Sequence, residues 1–377
     1  MFDSIWHDGL FYKLNNVFSD VKWRILYNWY SSLNAVIKLD GHIHHQSRFK
    51  VTRGTRQGSI LSPVLFNIFI SDLLVQLSHS KYGLQIGDDL YNSFAYADDI
   101  SLFSATVTGL QSLINICYDY SIKWRFKFGI QKSQCMMCGK NPGLFSTEPV
   151  WYLGDLSMKT VSQLQILGVT FSNNNKFDKH VQQRSQKCRQ SMYSLNGIGM
   201  CYPGLNTASK TYLYKSICFP TLIYGLNSIN ISNKCIQQLE STQGGIIKQV
   251  CGLSKQSHHS KLLRALNIDN VKTCINNSTL SLYNRICSVV SPTRSLCVFM
   301  LSQYVASGSL IPGSLVDRVV KMGVSPSSIM VSKPKSSHDR NDSDGVVDSL
   351  RNLLLNENYI KPWCSEYLMV KLLTRSF

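Results

Sequence analysis

An α+β fold is what this sequence predicts, and three observations carry the prediction. Tyr91 to Phe103 reads as a strand, a tight acidic turn and a second strand, with Asp98 and Asp99 adjacent at the turn. Asp40-Gly41, between Ala35–Leu39 and Phe49–Val51, is another hairpin signal. Helical periodicities are interleaved with these strands at first, and beyond Asn175 they take over. The expected organisation is an antiparallel sheet with helices over 1–173 and a helical region over 174–290. A linker over 291–345 and a short tail over 346–377 follow.

Taken in order, Trp6, Leu10, Leu14 and Phe18 recur every four residues behind Asp3 and Ser4, either of which can cap a helix. Trp23 to Leu33 is a second helix. Ser62-Pro63 predicts a helix start with Ser as cap, and Leu65, Ile68, Phe69, Leu73 and Leu77 mark its inner face. After the acidic hairpin, Thr106 or Thr108 caps a helix to about Trp124, with Leu110, Leu113, Ile114 and Cys117 inward. Phe126–Met137 is apolar and basic, and Asn141-Pro142-Gly143 marks a loop. Gln165–Phe171 is a strand broken by Gly168, as where another backbone approaches closely. Lys176 to Leu195 reads as a basic helix carrying Lys176, Lys179, Arg184, Lys187 and Arg189. Further helices are expected at about 208–223, 234–250 and 260–286. Pro, Ser and Gly accumulate over 291–345, and a short helix near 346–355 precedes an aromatic tail.

The chain has 377 residues, 44% of them hydrophobic, which is enough for a sizeable core. Its 39 Lys and Arg against 22 Asp and Glu give a formal charge of +17, a balance that favours polyanions, nucleic acid first. Charged residues make up only 16%, which excludes a disordered basic tail. No apolar run reaches the ~18 residues of a membrane span, and no secretory signal is present. The expectation is an intracellular protein, in nucleus or cytoplasm, with reduced thiols. Cys135 and Cys138 have no second pair at zinc-ligand spacing, and His42, His44 and His45 have no acidic or thiol cluster beside them.

Two stretches carry chemistry. Asp98 and Asp99, held at a sheet edge, suit a hard cation; the bland alternative is a solvated turn. In Arg53-Gly-Thr-Arg-Gln-Gly58, two glycines bracket Gln57 and lead into a helix. Such a loop lets a planar ligand lie against backbone, with Arg53 and Arg56 adding phosphate-binding charge. It serves equally as a tight turn needing Gly for geometry alone.

Arg53-Gly-Thr-Arg-Gln-Gly-Ser-Ile-Leu-Ser-Pro-Val-Leu-Phe-Asn67, then Phe94-Ala-Tyr-Ala-Asp-Asp99, then Leu167-Gly168, closely resembles a reverse transcriptase in order and spacing. Phe2-Asp-Ser-Ile-Trp-His-Asp-Gly-Leu10 and Ile223-Tyr-Gly225 resemble the jockey-like group of non-LTR retrotransposons. The resemblance implies a right-hand polymerase palm, an all-helical thumb, and fingers largely missing. It implies an RNA-directed DNA polymerase using two Mg²⁺ ions, or Mn²⁺ in their place, held by Asp98 and Asp99. Tyr96 and Ala97 would shape the turn near the primer end. Gln57 and Gly58 would lie by the incoming nucleotide, Phe2 would be a steric gate against ribose, and Lys132 would protonate pyrophosphate. Leu167 and Gly168 would aim the primer terminus, and Lys176, Lys179, Arg184, Lys187 and Arg189 would track a nucleic-acid backbone, where the bland alternative is a solvated helix face. The implied partners are an RNA template, a DNA primer or RNA–DNA hybrid, and deoxynucleotides, with no membrane and no inferable protein partner.

Two departures accompany the resemblance. Gly129 stands where the family has an asparagine upstream of the lysine. The family's first metal-holding carboxylate lies five positions before the aromatic gate, and counting back from Phe2 passes Met1. The expectation is therefore a polymerase portion with two of three carboxylates, with a catalytically inactive nucleic-acid-binding remnant as the alternative. An unrelated carboxylate nuclease would lack the ordered glycine–glutamine loop.

Overall fold

A computed structural model describes residues 2–56, 58–87, 89–139, 149–288, 292–307, 310–324 and 367–373. The chain divides into two compact units. One holds 1–166, 172–175 and 363–377; the other holds 167–171 and 176–362.

The first unit opens with a 3-10 turn, Phe2–Ser4, and helix α1, His7–Leu14. Neither Asp3 nor Ser4 caps α1: Trp6 occupies the cap position without a side-chain hydrogen bond. Helix α2, Asp20–Ser31, leads to the hairpin of β1, Asn34–Leu39, and β2, His42–Lys50. Asp40 and Gly41 turn it with φ of 49° and 84°, the two left-handed residues that match the strand twist. Helix α3 spans Ser62–Ser78. Ser62 is its first helical residue rather than its cap, and its hydroxyl instead donates to the Arg56 carbonyl at 2.5 Å. Short strands β3, Leu84–Ile86, and β4, Asp89–Tyr91, precede β5, Ser93–Tyr96, and β6, Asp99–Ser104. Helix α4, Val107–Lys123, is capped by the Thr106 hydroxyl, which accepts from the Gly109 amide. Strands β7, Gln134–Cys138, β8, Tyr152–Leu153, β9, Leu156–Ser157, β10, Lys159–Thr160, and β11, Gln163–Ile166, complete this stretch.

The inner faces of α1, α3 and α4 meet in one core: Leu10, Leu14, Phe66, Phe69, Leu73, Leu113 and Ile114 are fully buried beside Ile100 and Leu102 of β6. One cation sits among them. Lys13 donates to the Phe69 carbonyl and to Asp72, each at 2.5 Å, and its amine lies 3.8 Å from the centre of the Trp124 ring. Burial lowers that amine to about 8.

The second unit begins with Leu167 and contains β12, Val169–Ser172, through residue 171. Its helices are α5, Asp178–Ser194; α6, Thr207–Leu213; α7, Phe219–Ile223; α8, Asn233–Val250; α9, His259–Ala265; α10, Val271–Ser288; α11, Pro292–Ser307; and α12, Leu315–Lys321. A π-helical turn, Tyr214–Cys218, joins α6 to α7, so the helix expected near 208–223 carries an extra residue in one turn. The helix expected over 260–286 is two, separated where Asn267 adopts φ 50°. Within the linker expected over 291–345, the described residues 292–307 and 310–324 form packed helices instead, and residues 325–345 lie outside the described residues. Pro292 starts α11, and Ser314 caps α12 by accepting from the Asp317 amide. Cys297, Leu301, Val316 and Val319 bury against Tyr283 and Cys287 of α10. The helix expected at 346–355 lies outside the described residues.

Near the end of the sequence, Tyr367–Leu373 forms strand β13, which returns to the first unit instead of trailing as a tail. The resulting sheet has the order β10-β7-β13-β6-β5. Among the described residues no helix is long and apolar enough to cross a membrane.

Buried thiols set a pH dependence. Burial pushes Cys135 and Cys188 up to about 12 and Cys218 up to about 11. A thiol raised in the fold contributes stability that is complete below its unfolded value, about 8.5, and is lost as pH rises toward the folded one. Lys13 works the other way, because its depressed amine relieves the fold as pH climbs from 8. Thiols outnumber it, so under reducing conditions the urea midpoint should fall between pH 8.5 and 10.5. Lys13→Met should steepen that fall. A flat profile would contradict the burial of these thiols.

Candidate active site

The acidic hairpin has the tightest geometry available to it. Tyr96 pairs with Asp99, leaving Ala97 and Asp98 as a two-residue turn. Ala97 takes φ 50°, a left-handed conformation that costs an alanine roughly 1 kcal/mol and marks a turn held by its surroundings. Asp99 starts β6 and Asp98 sits at the tip, both half-buried. The first strand presents Tyr96 and Phe94 to solvent at 67% and 52% exposure, an open apolar surface beside the acids. The last residue of β13, Leu373, pairs with Asp99 from the other side.

The glycine loop is bound to the start of the chain. Arg53 bridges to Trp6, and the Gly54 amide donates to the Ile5 carbonyl at 2.8 Å. His7 Nε2 lies 2.7 Å from the Gly54 carbonyl. A Cβ on Gly54 would stand 2.7 Å from the Asp3 Cα, so the Phe2–Ser4 turn and this loop touch backbone to backbone. Sequence positions some fifty residues apart, both assigned to the nucleotide, are thereby brought together. Thr55 is buried, while Arg53, Arg56 and Gly58 face solvent. Gln57 and the Phe2 side chain lie outside the described residues.

Lys132 lies in the turn before β7, where its amide donates to the Gly129 carbonyl at 3.0 Å. Gly129, the departure from the family pattern, thus closes this turn through its backbone. Gln134 pairs with Lys371, and Leu373 pairs with Asp99. β6 and β7 both run antiparallel to β13, so the turn that carries Lys132 precedes β7 at the end of the sheet where Asp99 starts β6.

In the second unit, Leu167 and Gly168 are consecutive left-handed residues, φ 47° and 80°. Tyr224 fixes this turn: its hydroxyl donates to the Leu167 carbonyl at 2.7 Å, and its ring lies 3.0 Å from where a Gly168 Cβ would be. His180, fully buried, accepts from the Thr170 amide at Nδ1 (3.2 Å) and donates from Nε2 to the Tyr224 carbonyl (3.1 Å). Those partners require the neutral Nε2–H tautomer, and burial lowers its pKa accordingly.

The basic helix divides its cations. Lys179, Lys187 and Arg189 are exposed on α5, and Lys176, expected in the helix, is exposed just before it, since α5 starts at Asp178. Arg184 is not on that face: it is 5% exposed, with its guanidinium 5.4 Å from the centre of the Tyr224 ring. Its expected role on a nucleic-acid backbone gives way to packing behind the Leu167–Gly168 turn. Sequence reading missed His180 for the same reason, since a polar stripe concealed the helix's buried face.

Asp98 and Asp99 supply hard carboxylate oxygens at a rigid turn, a donor set that fits Mg²⁺ better than zinc. Among the described residues, no three His, Cys, Asp or Glu side chains gather as a metal site, and Cys135 and Cys138 are buried free thiols.

Comparison with known proteins accords with this geometry. The reverse transcriptase (RNA-dependent DNA polymerase) family matches residues 1–171, which include the glycine loop, the hairpin and the Leu167–Gly168 turn. The RNA-directed DNA polymerase from mobile element jockey of Drosophila melanogaster is 23% identical over 259 residues, 67% of this chain and 27% of that protein. The probable RNA-directed DNA polymerase from transposon BS of the same species is 22% identical over 290 residues, 74% of this chain and 31% of that protein. A Pol polyprotein from its type-2 retrotransposable element R2DM is 30% identical over 142 residues, 36% of this chain and 13% of that protein. The chain spans about 27–31% of the length of the first two. Residues 1–171 match the reverse transcriptase family, and the relatives that this chain resembles are polymerases and a Pol polyprotein of mobile elements, the jockey element among them.

Proposed function

We propose that the chain is the palm and thumb portion of an RNA-directed DNA polymerase that extends a DNA primer on an RNA template. The observation carrying this is the hairpin, with Asp98 and Asp99 fixed at a two-residue turn inside the matched region. In this reading Asp98 and Asp99 hold Mg²⁺, or Mn²⁺ in its place. Bound there, the ions would supply positive charge for the attacking primer 3′-hydroxyl and the departing pyrophosphate. Gln57, Gly58 and the Phe2 turn receive the deoxynucleotide, with Phe2 excluding a ribose hydroxyl. Lys132 donates a proton from its amine to the pyrophosphate. Tyr96 and Ala97 lie beside the primer end, which the Leu167–Gly168 turn aims through its backbone. Tyr224 and His180 keep that turn in one conformation, where small displacements are expensive in rate.

Lys176, Lys179, Lys187 and Arg189 hold phosphates, so binding to an RNA–DNA hybrid depends on salt. Four such contacts give a log–log slope of about −3 to −4, and Lys179→Ala with Lys187→Ala should flatten it by about two. Filter binding between 50 and 200 mM salt measures this, and an unchanged slope would remove the basic helix from the interface. Primer extension tests the chemistry. With Asp98 and Asp99 as the acidic pair where the family set holds three, the purified 377-residue polypeptide should bind hybrid but incorporate deoxynucleotide at trace levels. Robust Mg²⁺-dependent incorporation would show that the pair suffices.

A further inference from the structure

Just past Tyr224, the second unit contains a loop that is gripped at both ends. Its first end lies on the Leu167–Gly168 turn. The Tyr224 hydroxyl donates to the Leu167 carbonyl, and the Tyr224 carbonyl accepts from His180. Gly225, left-handed at φ 75°, presses on β12: a Cβ there would stand 2.6 Å from the Val169 Cγ2. Short-range bonds then tie the loop to itself. The Leu226 amide donates to the Ile223 carbonyl at 3.1 Å, and the Ser228 amide and hydroxyl donate to the Gly225 carbonyl at 3.4 and 2.9 Å. Leu226 and Ile229 are buried beneath it. A segment bonded in this way moves as a piece.

The other end is held by α12. One terminal nitrogen of Arg318 donates to the Asn227 carbonyl at 2.5 Å, and the other donates to the Ile229 carbonyl. The Thr279 hydroxyl of α10 joins it on Asn227 at 3.3 Å. Gly313, in the turn before α12, leaves no room for a Cβ beside Asn230. No carboxylate among the described residues pairs with Arg318, and its Nε has no partner among them. A cation taken from water without a counter-ion is costly, and an apolar side chain would pack α12 more cheaply. What only a planar guanidinium supplies is a fork that reaches two carbonyls at once.

We propose that Arg318 is a positioning residue for primer extension: by holding the Asn227 and Ile229 carbonyls it fixes the 224–229 loop and, through Tyr224, the Leu167–Gly168 turn. The proposal rests on the reading of that turn as the element that aims the primer terminus. Every link lies within the second unit. Arg318 touches no reacting atom and acts through the loop alone.

Hydrogen exchange of the full chain, resolved to single amides, tests the hold without reference to polymerase activity. The reporters are the Thr170 amide, bonded to His180, and the Ser228 amide, bonded to Gly225. Arg318→Met keeps the stem and removes the fork, and should speed exchange at both by about 10- to 100-fold while α8 is unchanged. Val319→Ala, at a fully buried position of the same helix, weakens the packing of α12 without touching the carbonyls, and should leave Thr170 as it was. Unchanged exchange at Thr170 in Arg318→Met, or equal acceleration in Val319→Ala, would overturn the proposal. If Arg318→Met does not fold, Arg318→Lys decides by the same amides, since it keeps the charge but lacks the fork; no acceleration there is equally fatal. A hybrid whose primer ends in 4-thiothymidine supplies the functional arm. Its photocrosslink to residues 165–170 should drop about tenfold in Arg318→Met, with the salt dependence of binding unaltered. A crosslink that persists at full yield would contradict the positioning role. Absence of the crosslink in the unaltered chain would sink the primer-end reading and that role with it, whereas the exchange data report separately on whether Arg318 holds the turn.

Discussion

Replacing Asp98 and Asp99 together with Asn is expected to abolish divalent-ion binding at the hairpin while leaving the fold intact. Asn keeps the size and turn preference of Asp but offers a neutral oxygen, and hard cations are held chiefly by carboxylate charge. Removing groups that merely orient a ligand already costs 10–100-fold in metal affinity, so losing both carboxylates should cost at least about 100-fold. The folding cost is small by comparison. Both side chains are half-exposed, and surface charges of this kind contribute about 0–1 kcal/mol. Titration with Mn²⁺, followed by electron paramagnetic resonance, separates the two effects when paired with a melting curve. The expected outcome is background binding with a Tm within about 3 °C of the parent. Undiminished Mn²⁺ binding would place the metal elsewhere. The single variants should differ, because the strand ladder fixes Asp99 whereas Asp98 stands in the turn.

Local signals were legible in the sequence and distant ones were not. Asp40-Gly41 turns its hairpin at the predicted place, because a two-residue loop of that composition depends on little beyond its own dihedrals. The acidic hairpin instead turns at Ala97-Asp98, one residue before the predicted acidic pair, with left-handed Ala97 held by its surroundings. The periodic faces of α3 and α4 likewise bury the residues their spacing indicated, except that Ile68 is half-buried and Phe66 and Ile70 join the core. Elsewhere the same residues carried two meanings. Pro292 and Ser314 read as linker composition and are helix-start residues, a distinction that only packing against α10 decides. Polarity concealed the buried stripe of α5, where His180, Arg184 and Ser185 lie beside Val181 and Cys188. Nothing local announces β13, since the pairing of Tyr367–Leu373 with β6 and β7 is a matter of long-range register. At the candidate site, the acidic pair and the glycine loop were legible as motifs. The hold of the Phe2–Ser4 turn on Gly54, and of Tyr224 on Leu167, was not.

That hold makes Gly54→Ala the most damaging single change predicted in the glycine loop, and Gly58→Ala its control. Both glycines are left-handed, φ 87° and 78°, so an alanine at either position costs roughly 1–2 kcal/mol in backbone strain. Around Gly58 nothing lies within 4 Å of an added Cβ. At Gly54 the same atom would stand 2.7 Å from the Asp3 Cα and 2.8 Å from its carbonyl oxygen. Those are backbone atoms and cannot rotate aside. Nor can the loop retreat easily, since the Gly54 amide and carbonyl are bonded to Ile5 and His7. Overpacking of this kind adds about 1–3 kcal/mol, for a total near 2–5 kcal/mol against a typical domain stability of about 5–15. The urea midpoint of Gly54→Ala should therefore fall well below that of Gly58→Ala at an unchanged m-value. The gap between the two isolates the close approach from the strain they share. Equal midpoints would mean that the Phe2–Ser4 turn does not press on the loop, and that the nucleotide-facing surface assigned to both has no common support.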